Sequence, residues 1–169
     1  MKILLPYCDF KINDVNMVGG IENFIKRVYH AYDNLILLDI NPLLLECGND
    51  SSSKEFIKKS NDLIKLKALE NNVDIIMVNR LRAMFCGANM LNSPIPIIHI
   101  DHSTVPMLSV IKWFHRLKEN GHSIFLVSPF QKNYFDGFAN RISQNLVDFD
   151  GFVEPAFLDG NKPKLIENP

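Results

Sequence analysis

The stretch Pro96-Ile97-Ile98-His99-Ile100-Asp101-His102-Ser103 decides the fold class, because an apolar run ends there at three polar residues. A short run that is rich in β-branched isoleucine and begins after proline is typical of a buried strand. In an open α/β sheet, ligands bind outside the carboxyl ends of the strands. The stretch therefore predicts a strand over residues 96–101 and places Asp101 and His102 at the mouth of a cleft.

Strand-like and helix-like segments alternate along the rest of the chain. Apolar residues at helical spacing predict helices over Ile21–Tyr32, from a Ser53 cap to about Asn71, over Thr104–Asn120 and from Pro129. Short apolar runs predict strands at 2–6, 34–39, 73–79, 96–101 and 122–128, and residues 41–53 are predicted as a loop. This alternation implies parallel βαβ units. The expected fold is α/β: a Rossmann-like, doubly wound, mostly parallel sheet with helices on both faces.

Length, charge and cysteine content narrow the class of protein. A chain of 169 residues with a formal net charge of −1 is long enough for one core and carries no overall charge that would draw it to nucleic acid or an anionic membrane. Cys8, Cys47 and Cys86 match no metal-ligand spacing, which predicts reduced thiols in a cytoplasmic protein. No apolar run is long enough to span a membrane, so no membrane partner is expected. We expect one domain over residues 1–158 and a linker or tail over residues 159–169.

A pair of glycines precedes the first predicted helix. Gly19 and Gly20 let the backbone pass close to a ligand, and the free N–H groups at a helix start attract phosphate. No GxGxxG spacing and no Walker lysine accompany them, which disfavours a standard dinucleotide site or P-loop. A plain turn with a helix cap explains the same glycines, and both interpretations stay open.

Asp101 and His102 are the candidate catalytic residues. An aspartate at a strand end can accept a proton or stabilise positive charge near a reacting carbon, and a neighbouring histidine can donate a hydrogen bond to a sugar or phosphate. The alternative is structural: Asp101 or Ser103 caps the next helix. His99 alternates with the isoleucines beside it and is predicted to be buried and hydrogen-bonded. No cluster of carboxylates and histidines indicates a metal site.

Further polar and aromatic residues follow the third and fifth predicted strands. Arg80 and Arg82 could hold phosphates as bidentate donors, although a solvated helix start is the more usual explanation for such a pair of charges. Ser128 either caps the helix that it precedes or contacts a ligand. Phe130 and Tyr134 are interpreted as core residues of that helix rather than as stacking platforms.

Three segments resemble the amino-terminal half of GT-B glycosyltransferases: Val18-Gly19-Gly20-Ile21-Glu22, Ile100-Asp101-His102-Ser103 and Val127-Ser128-Pro129-Phe130-Gln131-Lys132. The likeness is greatest to retaining nucleotide-sugar enzymes and, among them, to the T-even phage DNA glycosyltransferases that include the α-glucosyltransferase acting on hydroxymethylcytosine. It covers about residues 2–135. The resemblance implies sugar transfer from a nucleotide-sugar, expected to be a UDP-sugar, to an acceptor such as modified phage DNA in the host cytoplasm. It implies no covalently bound cofactor.

The resemblance also implies roles for individual residues. Gly19 and Gly20 would approach the donor diphosphate, Asp101 would be the catalytic carboxylate beside the anomeric carbon, and His102 would contact the donor sugar. The amino-terminal domain of the family mainly binds the acceptor. The candidates for contacting an acceptor or its phosphates are Arg80, Arg82, Ser103, Ser128 and the lysine-rich helix face of residues 54–67, which could otherwise be simply solvated.

GT-B enzymes have a second Rossmann-like domain that grips most of the donor nucleotide. We expect that domain to come from a carboxyl-terminal half or a partner subunit, so residues 1–169 by themselves are not expected to complete a transfer cycle. Two alternatives stay open. The chain could be a non-catalytic binding or partner module of the same fold, or a small nucleotide or phosphoester hydrolase with Asp101 and His102 as its acid and base.

Overall fold

The structure of the chain is a computed structural model that describes residues 1–8, 20–79, 93–102, 107–154 and 164–167. The described strands are β1 (Ile3–Tyr7), β2 (Leu35–Asp39), β3 (Ile75–Val78), β4 (Ile97–Asp101), β5 (Ser123–Leu126), β6 (Gly151–Glu154) and β7 (Lys164–Glu167). The described helices are α1 (Gly20–Ala31), α2 (Asn41–Glu46), α3 (Lys54–Glu70), α4 (Leu108–Glu119) and α5 (Pro129–Arg141).

All seven described strands belong to one sheet in the order β2-β1-β3-β4-β5-β6-β7. The first six run parallel, and β7 pairs antiparallel with β6. The chain passes from β1 outward to β2 and then returns to β3 on the other side of β1, so the direction of winding reverses between β1 and β3. Such a switch point opens a crevice outside the carboxyl ends of the two strands.

Helices cover both faces of this sheet. On one face, here called the α1 face, Phe24, Ile25 and Val28 of α1 pack on apolar side chains of β1, β3, β4 and β5. On the other, here called the far face, α2 and α3 cover one half of the sheet, and α4 and α5 cover the half around β5. The predicted α/β, Rossmann-like sheet with helices on both faces is therefore confirmed.

The helix predicted from a Ser53 cap to about Asn71 is confirmed as α3. The Ser53 hydroxyl accepts a hydrogen bond of 3.2 Å from the Phe56 N–H, which satisfies one of the free donors of the first turn. Phe56 and Ile64 are fully buried against the sheet, as the apolar spacing requires. The cap and the apolar stripe together define the start and the orientation of this helix.

Two segments differ from the prediction. Asn41–Glu46 lies in the predicted loop but forms α2, because a proline in its first turn fixes a helical φ angle without needing an N–H partner and Leu44 is buried. Lys164–Glu167, in the predicted linker or tail, forms β7 along the edge of the sheet. The ordered sheet therefore extends into the segment expected to leave the domain.

Two observations concern the membrane and thiol expectations. Within the described parts of the chain, no helix combines the length and the apolar character needed to cross a membrane. Cys8 and Cys47 are free thiols, and Cys86 lies outside the described residues.

His99 forms a buried pair with His122, which confirms the prediction of a buried, hydrogen-bonded histidine. His99 Nε2 lies 3.0 Å from His122 Nδ1, and the two side chains are 1% and 5% exposed. Burial, and next the proximity of His122, lowers the pKa of His99 to about 3 from the usual 6.5. At neutral pH the His99 ring is therefore neutral, and it links β4 to the residue that precedes β5.

Acidification is expected to destabilise the protein through this pair. The unfolded chain binds a proton at position 99 below about pH 6.5, whereas the folded protein binds it only near pH 3. Stability therefore rises with pH across this window and is lost as the pH falls below 6.5. We expect His99 to lower the free energy of unfolding by about 2 kcal/mol between pH 7 and pH 5, as measured by urea denaturation. A His99→Gln protein should lose correspondingly less unfolding free energy between pH 7 and pH 5. An equal loss in both proteins would contradict the lowered pKa of His99.

Candidate functional site

Four neighbouring strands end in polar side chains on the α1 face. The strand register aligns Tyr7 with Asp39 and, through the alternation of side chains along β3, puts Asn79 on the same face as Tyr7. His102, which follows β4, packs against Phe24 of α1 with ring centroids 5.2 Å apart. We call the set Asp39, Tyr7, Asn79 and His102 the polar row. It crosses the switch point between β1 and β3, where a ligand crevice is expected.

Hydrogen bonds connect the polar row in two pairs. The Tyr7 hydroxyl donates to the Asp39 carboxylate, and His102 Nε2 lies 3.3 Å from Asn79 Oδ1. Adjacent strands in a sheet are about 4.8 Å apart, so three such spacings give the row a length of about 14 Å. The row is therefore an extended site with an acid at one end and an imidazole at the other.

Asn79 is the most unusual member of the row. Its side chain is 3% exposed, and its Nδ2 atom is buried with no hydrogen-bond partner among the residues that the structure describes. Leaving a buried N–H group unsatisfied costs about 1–3 kcal/mol, so folded proteins rarely do it without a reason. In the structure, Oδ1 is the amide atom of Asn79 that faces His102 Nε2, at 3.3 Å. Among the described residues, Asn79 thus carries a donor without a partner at the switch point.

The protonation of His102 follows from its surroundings. An amide oxygen only accepts hydrogen bonds, so His102 carries its proton on Nε2 and donates it to Asn79. Burial lowers the pKa of His102 to about 4, so the imidazole is neutral at pH 7. Its Nδ1 is then an acceptor, which suits a ligand hydroxyl better than an anion.

Tyr7 remains a donor at physiological pH. Burial, followed by the negative charge of Asp39 and the hydrogen bond to it, raises the pKa of Tyr7 above its usual value of 10.0. The hydroxyl therefore keeps its proton and directs it at the carboxylate. This holds one end of the polar row in a single arrangement.

The start of α1 supplies the positive end of a helix dipole to the same crevice. The helix begins at Gly20, runs for 12 residues, and follows β1 at its carboxyl end. The contact between Phe24 and His102 places its first turns beside the polar row. The free N–H groups of a helix start attract anions, phosphate above all. The start of α1 is therefore a position where an anionic group is favoured.

Asp101 does not face this crevice. Register places it beside Leu126 on the far face, where it is 2% exposed. Gln131 of α5 donates from Nε2 to both the carbonyl oxygen and Oδ2 of Asp101, each at 3.1 Å, and accepts at 2.9 Å from the Val127 N–H. Consecutive residues at a strand end project to opposite faces. The structure therefore separates Asp101 from His102, and the two do not form the catalytic pair expected at one cleft.

Of two predicted helix caps, Asp101 for α4 and Ser128 for α5, the structure shows only the second. The helix α4 begins only at Leu108, and Met107 precedes it without a side-chain cap, so Asp101 does not cap it. At α5, Ser128 is the cap, and its hydroxyl accepts from the Gln131 N–H at 3.3 Å. The structural role of Ser128 is thereby confirmed.

Several predicted site residues lie outside the described part of the chain. These are Gly19, Arg80, Arg82 and Ser103. Their expected contacts with a diphosphate or an acceptor stay predictions.

The lysine-rich face belongs to α3, which packs on the far face of the sheet. Two of its lysines are neutralised by neighbours on the same helix, because Lys59 pairs with Glu55 and Lys67 pairs with Glu70, each at 2.8 Å. Exposed pairs of this kind add little stability. This face lies across the sheet from the polar row, and its contact with an acceptor stays a prediction.

The interpretation of Phe130 and Tyr134 as core residues is wrong. They are 74% and 43% exposed, and their rings stack on each other with centroids 6.4 Å apart. The helix α5 instead directs Gln131 and Phe135 toward the sheet. Phe130 and Tyr134 each precede one of these two residues, and the helical rotation of about 100° per residue directs them away from the sheet.

Tyr7, Asp39 and Asn79 do not stand out in the sequence as site residues. Each is a common polar residue at the end of an apolar run, and no motif joins them. The only available signal was their position at the carboxyl ends of predicted strands.

The class that the fold defines is a Rossmann-like α/β domain, with a row of polar side chains at the switch point of its sheet. Comparison of the chain with protein-family models, with curated proteins and with solved structures found no match. Within the described residues, no three histidine, cysteine or acidic side chains are grouped closely enough to hold a metal ion. The functional argument therefore depends on the polar row itself.

Proposed function

We propose that this chain is the amino-terminal, acceptor-side domain of a GT-B glycosyltransferase and that it contacts a nucleotide-sugar donor through the polar row. The observation that supports the proposal is the buried Nδ2 of Asn79, which lacks a partner among the described residues and lies beside the neutral His102 and the start of α1. These groups match the parts of such a donor: an anionic diphosphate next to a sugar that carries hydroxyls.

The donor diphosphate would lie between the start of α1 and Asn79. The backbone N–H groups that follow Gly20 and the Asn79 amide then donate to phosphate oxygens, and the helix dipole favours the negative charge. The sugar would lie over the end of β4, where His102 Nδ1 accepts from one of its hydroxyls. A UDP-sugar fits this arrangement, and its contact with His102 is the one that the resemblance implies.

The role of Asp101 is revised in this proposal. Its carboxylate lies on the far face and is bound by Gln131, so it does not reach an anomeric carbon held at the polar row. We assign it a positioning role, since it and Gln131 hold the strand end that carries His102. The group that stabilises the reacting carbon would then come from elsewhere in the complete enzyme.

The acceptor and the second domain complete the proposal. A carboxyl-terminal domain or a partner subunit would close over the polar row and add its own contacts to the nucleotide. Hydroxymethylated phage DNA is the acceptor that the resemblance favours, and Arg80 and Arg82 are the candidates for its phosphates.

A second candidate function is a binding or partner module of the same fold without catalysis. The burial of Asp101 favours it, because the carboxylate expected to do the chemistry is engaged in a structural contact. Measuring UDP release from UDP-glucose separates the two candidates. An enzyme half complemented by its second domain releases UDP on hydroxymethylated DNA, whereas a binding module binds the donor and releases none. The hydrolase alternative loses its basis, because its proposed acid and base lie on opposite faces.

Calorimetric titration of the 169-residue chain with UDP-glucose tests the proposal. We expect binding, and we expect His102→Ala to weaken binding of UDP-glucose about tenfold while changing that of UDP much less, because only the sugar reaches His102. Absence of binding by the unmodified chain would overturn the proposal. An equal loss for both ligands would remove the sugar contact from it.

Asp101→Asn, at the residue directly before His102, is the control for His102→Ala. An asparagine oxygen can still accept from Gln131, so the protein should fold, and its affinity for UDP-glucose should stay within about twofold of the unmodified chain. A loss of tenfold or more in a folded Asp101→Asn protein would return Asp101 to the ligand site.

A further inference from the structure

Asp39 presents a fixed and exposed carboxylate at the outer end of the polar row. It is the last residue of β2, and its Oδ1 accepts from the Asn41 backbone N–H at 2.9 Å and from Asn41 Nδ2 at 2.7 Å. The Tyr7 hydroxyl is its third donor among the described residues. A carboxylate offers about four acceptor positions, so this one can take a further hydroxyl donor without giving up a contact.

The position of Asp39 relative to α1 suggests what that donor is. The strands β1 and β2 are joined through α1 into a single βαβ unit, and Asp39 stands 19 positions after Gly20. In βαβ units that bind nucleotides, the phosphate lies at the helix start, and an acid at the end of the second strand, about 20 residues on, binds the ribose 2′-hydroxyl. This chain lacks the glycine fingerprint of dinucleotide sites, so the inference depends on strand ends and contacts rather than on a motif.

A second, independent observation indicates a ligand in the same crevice. Asn79 Nδ2 is buried and has no partner within the described residues, and it lies on the α1 face, on the other side of β1 from Asp39. The row of about 14 Å therefore has a hydroxyl acceptor at one end, an imidazole at the other end, and near its middle a donor that no described residue engages. An extended ligand with a diol, an anion and a sugar would match these groups in that order.

We propose that Asp39 accepts a hydrogen bond from the ribose 2′-hydroxyl of the bound nucleotide, so that this domain itself selects ribonucleotides over deoxyribonucleotides. This inference rests on the proposed function, since it assumes a nucleotide diphosphate at the start of α1. It adds the direction of the ligand: the nucleoside lies over β1 and β2, and the transferred sugar lies over β4. It also assigns a nucleotide contact to a half that is expected mainly to bind the acceptor.

The test compares UDP with 2′-deoxyuridine diphosphate by calorimetric titration of the full chain. We expect the unmodified protein to bind UDP about tenfold more tightly, as one hydrogen bond to a charged acceptor would give. Asp39→Asn should reduce this preference to within about twofold. Asp33→Asn, which removes an exposed charge just before β2, should keep the tenfold preference.

The outcomes separate this inference from the function on which it rests. If UDP and its deoxy analogue bind the unmodified chain equally well, the ribose contact is overturned while donor binding survives. If neither binds, the proposed function fails as well. The comparison of the two nucleotides needs no variant, so it decides the matter even where Asp39→Asn impairs folding. A folded Asp39→Asn protein that keeps the tenfold preference would also overturn the assignment.

Discussion

Asn79→Asp is expected to weaken the binding of UDP-glucose by at least about 100-fold. The substitution keeps the size and shape of the side chain but replaces Nδ2, which has no partner among the described residues, with a carboxylate oxygen. The diphosphate then loses a donor and meets a negative charge at a position that is almost fully buried, where charges are poorly screened. A loss of a charge-assisted hydrogen bond together with like-charge repulsion accounts for a change of this size. Calorimetric titration at pH 7.5 measures it.

Asn133→Asp is the matched control, because it makes the same chemical change at an exposed position of α5. It should leave the affinity for UDP-glucose within about twofold. Circular dichroism of the Asn79→Asp protein shows whether it is folded. A folded Asn79→Asp protein that binds UDP-glucose as tightly as the unmodified chain would remove the diphosphate from this part of the row.

Gln131→Leu is expected to lower the free energy of unfolding by about 3 kcal/mol. Gln131 satisfies the carbonyl and the carboxylate of Asp101 and the N–H of Val127, and leucine leaves all three groups without that partner. Each unsatisfied buried group costs about 1–3 kcal/mol, and partial relaxation limits the total. Urea denaturation at pH 7 measures the change.

Asn133→Leu on the same helix is the control for this second substitution. It adds the same apolar side chain at an exposed position where no buried contact is broken. The free energy of unfolding should therefore change by less than about 0.5 kcal/mol. If Gln131→Leu and Asn133→Leu unfold at the same urea concentration, the contact with Asp101 does not hold the two elements together as described.

The strands and the long helices follow directly from the sequence. Short isoleucine- and leucine-rich runs separated by amphipathic segments leave few alternatives to a parallel sheet, and Ser53 marks the start of α3 because a hydroxyl satisfies its first turn. The local pattern does not predict α2, because glycine and serine residues farther along dilute the helical signal of Asn41–Glu46. Only the burial of Leu44 and the proline in its first turn reveal it.

The site was only partly predictable. The sequence indicates that the end of β4 carries function, and His102 does lie at the crevice. Alternation along a strand already implies that Asp101 and His102 point to opposite faces, but which face holds the crevice depends on where α1 packs. Asn79 and Tyr7 become neighbours only because β3 returns to the side of β1, and this strand order is a property of the whole chain rather than of any local pattern.

The most direct test of the account is a two-dimensional ¹H–¹⁵N nuclear magnetic resonance titration that follows the side-chain amides while UDP-glucose is added. The polar row predicts that the Asn79 Nδ2 signals, identified by their loss in Asn79→Asp, shift strongly as this donor gains a phosphate partner. The Gln131 Nε2 signals on the far face should stay in place, because Asp101 already occupies them. Shifts at Gln131 with none at Asn79 would place the ligand on the wrong side of the sheet and contradict the account.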